Sequence, residues 1–145
     1  MERSVRSFAP GEVGVGITLP VQAQTTLAAE PWESSAAATE IVRAAQAVDR
    51  LGFFSVSASD HVVIPRSRVP VMSSTWYDPI ATLGMVAGVT RRVHLFTRAL
   101  ILPFRPPLLA AKSAATLDRL SEGRLILGVG AGHVPEEFAA LNVDF

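Results

Sequence analysis

The chain has 145 residues, of which 49% are AVILMFWYC and only 18% are charged, the composition of a folded domain rather than a disordered segment. Thirteen basic and thirteen acidic residues cancel, which argues against steering towards nucleic acid or an anionic membrane and for a small-molecule partner. The absence of cysteine excludes disulfides, thiolate metal sites and cysteine nucleophiles and fits a cytoplasmic protein; with no apolar run of ~18 residues and no leader-like segment behind the first arginines, neither export nor membrane insertion is expected.

Residues 1–12 read as an N-terminal extension to a domain over 13–145. Residues 13–20 are β-branched and apolar on both faces, which predicts a strand covered on both sides. Residues 21–35 have the Pro and Ser content of a loop, long enough to be suspected of function. From 36 to 51, Ile41, Ala44, Ala45, Val48 and Leu51 recur at helical spacing, and Gly52 supplies the stop. Residues 53–59 predict a second strand and 60–77 a second long loop. Asp78 and Pro79 then open a helix as cap and first residue, with Ile80, Leu83 and Ala87 on its inner face. A third strand is expected over 93–102, ended by Pro103. Pro106 and Pro107 lead into a helix with Leu109, Thr116, Leu117 and Leu120 on one side, closed by Gly123. Residues 124–129 predict a fourth strand, followed by a glycine-rich turn and a short helix over 135–141.

The alternation β-α-β-α-β-α-β-α implies parallel strands joined by right-handed crossovers. Two α/β architectures satisfy it: an open doubly wound sheet, or part of a barrel. A complete (β/α)8 barrel takes ~250 residues, so four units in this length come to about half of one.

Three stretches decide between them: Leu51, Gly52 and Phe53 through Ser59, Asp60 and His61; Leu100 through Pro107; and above all residues 111–132, AKSAATLDRLSEGRLILGVGAG. The last resembles the AK-x-x-ATLD-x-LS-x-GR-x-x-LG-x-G string of the luciferase-like flavin and deazaflavin oxidoreductases, nearly without gaps. The resemblance implies a TIM-barrel fold, present here as an N-terminal half barrel of about four βα units, with the isoalloxazine or deazaflavin ring at the C-terminal ends of the strands. It implies hydride transfer between coenzyme F420 and a small organic substrate, with an FMN-dependent monooxygenase as the alternative within the family. A different class of reading is a non-catalytic half barrel, acting as a homodimer or with a complementing barrel half. In the family, dimers pack through the second and third helices.

Site residues follow from the strand ends. An imidazole near neutral pKa can exchange protons with a reduced cofactor or substrate, and at the position of His61 the family commonly has a histidine facing the cofactor or substrate. Asp60 is the candidate to orient His61 and to touch the cofactor. Thr97, Arg98 and Ala99 match a strand segment whose irregular backbone supports the ring. Arg98 departs from the family's small residue there; a guanidinium can pair with Asp60, donate to an anionic ring, fill the ring's space or face outward. Gly130 lies in a glycine-rich turn that is not a dinucleotide fingerprint. His133 replaces the Glu of the family's sugar-phosphate and alcohol dehydrogenases, and a histidine there can still shuttle protons. No metal is expected. Trp76 and Tyr77 read as packing beneath a loop, Arg105 and Lys112 as solvated or dipole-compensating, Asp118 and Arg119 as surface pairs, and His94 as a partly exposed strand residue.

Overall fold

The computed structural model describes residues 8–22, 25 and 27–145. Its order is β1 (Gly16–Thr18), a 3-10 turn (Pro31–Ser35), α1 (Ala38–Leu51), β2 (Ser55–Ala58), α2 (Val69–Met72), α3 (Pro79–Val89), β3 (His94–Ile101), a 3-10 turn (Leu102–Phe104), α4 (Pro107–Leu120), β4 (Leu125–Gly130) and α5 (Pro135–Leu141). The four strands form one parallel sheet in chain order. Part of a barrel, not a doubly wound sheet with its reversal of strand order, has this topology.

Punctuating residues act where the sequence places them. Gly52 ends α1 with φ 79°, the left-handed conformation that a side chain disfavours. Asp78 caps α3 by accepting the Ala81 N–H at 2.9 Å, with Pro79 at the first helical position. The core lies where Ile41, Ala45 and Val48 of α1 and Leu83, Val86 and Ala87 of α3 meet Val56, Ala58 and Leu95 of the sheet. Alternate strand residues turn to the opposite face, among them the buried Ser55 and Ser57.

Two elements differ from the sequence expectation. The first strand shrinks to three residues, and Val13 and Val15 are exposed, because β2 pairs it on one side only. In α4 the buried face is Ala110, Ala114 and Leu117, while Leu109, Thr116 and Leu120 point to solvent. Small residues let this helix lie close to its neighbours, and the larger apolar ones are left outside.

Polar groups lock the N-terminal ends of the strands. Arg124, in the LSEGR part of the family string, is buried and donates to Ser121 O (2.8 Å), Thr90 Oγ1 (2.9 Å), Val93 O (3.2 Å) and Ala87 O (3.0 Å). One guanidinium therefore ties the ends of α3 and α4 to the start of β3. Asp49 accepts the N–H groups of Arg91, Arg92 and Val93 at 3.2, 2.7 and 2.8 Å, fixing the entry to β3 from α1. Asp118 accepts the Leu125 N–H at 3.4 Å, so it guides the entry to β4 rather than serving only as a surface charge.

Candidate active site

The C-terminal ends of β2, β3 and β4 open into a cavity of about 470 Å³, within the size range of small-ligand pockets. Ser59, Asp60 and His61 follow β2; Arg98, Ala99 and Ile101 come from β3; Gly130, Gly132 and His133 come from the end of β4 and the turn after it, and Trp76 and Glu137 complete the wall.

The floor is close-packed at Gly130. A Cβ there would lie 3.1 Å from Ile101 Cδ1 and 3.3 Å from the Ala99 methyl, so a side chain would fill the space above the two strands. Beside it the β3–β4 register shifts between Thr97 and Leu100, and the Arg98–Ala99 peptide is cis. Thr97 does not line the cavity. It is buried and donates its hydroxyl to Gly128 O at 2.8 Å, bracing β3 on β4. Arg98 is exposed, lines the cavity and donates to Thr18 Oγ1 at 3.3 Å; it does not pair with Asp60.

Asp60 is buried, and its carboxylate is consumed by other partners than His61. Arg105 grips it through two bonds, Nη1 to Oδ2 at 2.5 Å and Nη2 to Oδ1 at 2.9 Å, and the Ile101 N–H donates to Oδ2 at 2.9 Å. Arg105 also reaches Asp78 Oδ2 at 2.9 Å. The expectation that Arg105 is merely solvated or dipole-compensating is thus overturned: it joins the loop after β2 to the cap of α3. Its hydrogen bond to Asp60 holds the guanidinium above its ordinary pKa despite burial, helped by the charges of Asp60 and Asp78. The expectation that Asp60 orients His61 fails, since the Asp60 carboxylate bonds Arg105 and the Ile101 N–H while His61 Nδ1 bonds Glu137.

Glu137 takes that place. It is buried in the first turn of α5, 2.7 Å through Oε2 from His61 Nδ1, and its Oε1 accepts the Val62 and Val63 N–H groups at 3.0 and 3.2 Å. The turn that delivers it needs Gly132, whose φ is +86° and whose Cβ would meet the Phe138 ring at 2.7 Å. Phe138 packs edge-on against Phe104, seating α5 below the cavity. Trp76, held by Nε1 to Met72 O at 3.0 Å, meets the His61 ring edge-on at a centroid distance of 4.5 Å. The exposed His133 stands 5.7 Å from His61 on the same wall. Trp76 therefore frames the site as well as packing beneath its loop. Among the described residues no three His, Asp or Glu side chains converge to hold a metal ion, and no helix is long and apolar enough to cross a membrane.

Parallel strands in barrel order, with a cavity at their C-terminal ends, define a (β/α)-barrel protein of the kind that builds its active site on βα loops. More narrowly, the chain belongs to the luciferase-like monooxygenase family, whose sequence profile matches residues 13–145. It is 39% identical over 67 residues to the 4-hydroxyprotoasukamycin monooxygenase of Streptomyces nodosus subsp. asukaensis, a match covering 46% of this chain and 18% of that protein. Two of the solved structures similar to it share its fold. One is the FMN-bound oxygenating constituent of 3,6-diketocamphane monooxygenase from Pseudomonas putida, with TM-score 0.70, 19% identity, 92% of this chain and 33% of that one. The other is the coenzyme F420 dependent tetrahydromethanopterin reductase of Methanopyrus kandleri, with TM-score 0.65, 24% identity, 93% of this chain and 31% of that one. Across six curated relatives the match spans 18–38% of their length.

Proposed function

We propose that the strand-end cavity is the ring-binding part of a two-electron oxidoreductase site, with coenzyme F420 as the hydride carrier for a small organic substrate. The observation that carries this reading is the pairing of a close-packed floor without large side chains at Ala99 and Gly130 with an imidazole, His61, on the adjoining wall. A planar tricycle needs such a floor, and two-electron chemistry at a ring nitrogen or carbon needs a proton donor or acceptor beside it. Ala99 and Gly130 would lie under the ring, Arg98 would offer its cation to an anionic reduced form, and His133 would flank it. Asp60 and Thr97 support the ring through the backbone they brace. When bound, the carrier supplies the electron pair; His61 holds or releases the proton, and Trp76 limits the angle at which its ring can stand. FMN with monooxygenation is the second reading, favoured by the monooxygenases among the relatives.

The same reading assigns cover to surfaces left open in the sheet. Strands β1 and β4 each have one unpaired edge among the described residues, and Leu127 and Val129 of β4 are about half exposed. Further barrel units paired to these edges would cover them. Leu108 and Leu109 on α4 and Met85 on α3 are also exposed, in keeping with a homodimer through those helices.

The test is a titration of the 145-residue chain with F420 and, separately, with FMN, read by ligand fluorescence and by thermal stabilisation. Saturable binding of either supports the site and chooses the carrier. No saturable response to both refutes the ring-binding assignment. In a turnover assay of an active longer chain, His61→Ala is expected to lower kcat by about 10²-fold or more; unchanged kcat refutes the proton role.

A further inference from the structure

The site contains a carboxylate that neither composition nor motif assigns, and its bonding determines which nitrogen of His61 carries the proton. Both oxygens of Glu137 accept: Oε1 from two backbone N–H groups and Oε2 from the imidazole edge at 2.7 Å. An ionised carboxylate accepts only, so with Glu137 as the anion the hydrogen in the His61 contact belongs to Nδ1. In a neutral ring that leaves Nε2 bare. Among the described residues Nε2 has no protein partner and is not a buried orphan, and its ring lines the cavity.

We infer that Glu137 is a positioning residue that locks His61 as the Nδ1–H tautomer, presenting an unprotonated Nε2 to whatever occupies the cavity. The bond is built from a distance of 76 residues, and both ends are constrained. The Val62 and Val63 amides fix the carboxylate, and Trp76 fixes the imidazole. Only the use made of Nε2 rests on the oxidoreductase reading.

Glu137→Gln separates a tautomer lock from general support. The Gln oxygen can still accept from Val62 and Val63, so the loop stays held, but its NH2 group then faces Nδ1. His61 must accept there, and the ring proton moves to Nε2. The flipped amide would keep the original tautomer only by setting donors against both backbone N–H groups.

The tautomer is read directly by long-range ¹H–¹⁵N correlation of the histidine rings at about pH 8, above the ordinary imidazole pKa of about 6.5. The chain has only three histidines, so His94→Gln and His133→Gln variants assign the signals. The expected result is a protonated Nδ1 on His61 in the unmodified chain and a protonated Nε2 in Glu137→Gln. A protonated Nε2, or a mixture of tautomers, in the unmodified chain overturns the inference. So does a folded Glu137→Gln variant that keeps the Nδ1–H form. If that variant does not fold, the unmodified chain decides alone. No cofactor enters the measurement, so a failed cofactor titration leaves this result standing, and a wrong tautomer leaves cofactor binding standing.

Discussion

Replacing Arg105 with Met removes a charge from beside one of the most deeply buried carboxylates in the chain, and the structure sets the size of the loss. The Asp60 side chain is 1% exposed and that of Arg105 20%. Three hydrogen bonds satisfy the Asp60 carboxylate, and two of them come from the guanidinium. The variant leaves a buried anion with the Ile101 N–H alone. Breaking one partner of a buried pair costs about 3–5 kcal/mol; because Arg105 is partly solvated and its second partner, Asp78, is exposed, about 2–4 kcal/mol is expected here. For a chain of this length that corresponds to a fall of about 6–15 °C in Tm. Urea unfolding followed by far-UV circular dichroism measures it. The cycle is completed by Asp60→Asn and the double variant. Asp60→Asn removes the anion yet keeps an acceptor for Ile101, so the double variant should recover at least about 1 kcal/mol relative to additivity. A loss below about 1 kcal/mol for Arg105→Met, or strict additivity in the double variant, would refute the view of this pair as a coupled clasp.

Asp49 predicts a pH dependence. Burial raises its pKa, but the Val93, Arg92 and Arg91 amide bonds and the Arg92 charge outweigh burial and leave it lowered. A folded value below the unfolded one contributes stability that is complete above about pH 4 and drains away as pH falls through the folded value. Asp49→Asn should therefore cost about 1 kcal/mol at pH 7, with the gap to the unmodified chain closing below about pH 4; a gap independent of pH in stability measurements would count against it. The two β4 glycines should separate by assay. A Cβ at Gly128 would run into the Thr97 carbonyl oxygen and lie 2.6 Å from the Phe96 ring, so Gly128→Ala should cost about 1–3 kcal/mol. Gly130→Ala meets only side chains, and it should leave Tm within a few degrees while weakening carrier binding; the reverse ranking in melting and titration experiments would contradict the floor assigned to Gly130.

Sequence carried most of the fold because its signals are local. Gly52, Asp78 and Pro79 act on the backbone within a turn of where they stand, and the 111–132 string encodes contacts such as Arg124 to Ser121 that lie only 3 residues apart. The first strand misled because Val13 and Val15 have the character of a buried strand but lack a second neighbour. In α4, leucines drew attention away from Ala110 and Ala114, and Leu117 alone of the expected face is buried. At the site, Asp60, His61, Arg98, Ala99, Gly130 and His133 were expected from the strand ends and line the cavity, whereas Thr97 does not. What was not legible is which charges meet. Asp60 finds Arg105 across 45 residues and His61 finds Glu137 across 76, pairings set by tertiary packing. Glu137 has only one local signal, its place in the turn after the glycine run.

Two buried carboxylates at the same end of the sheet therefore have different tasks, and their partners explain why. Asp60 faces a permanent cation, since a guanidinium does not give up its proton in the working range of proteins. Its charge is balanced by that cation, and its three bonds tie it to Arg105 and the Ile101 N–H. Glu137 faces an imidazole, whose other nitrogen is left open to the cavity while Nδ1 keeps its bond. Under the proposed function, acid–base work in the cavity would fall to His61, with His133 on the same wall as the other imidazole. The Asp-His sequence pair, which in isolation suggests a catalytic dyad, is instead divided between two clasps. One fixes the loop after β2 to β3 and the cap of α3; the other fixes it to α5.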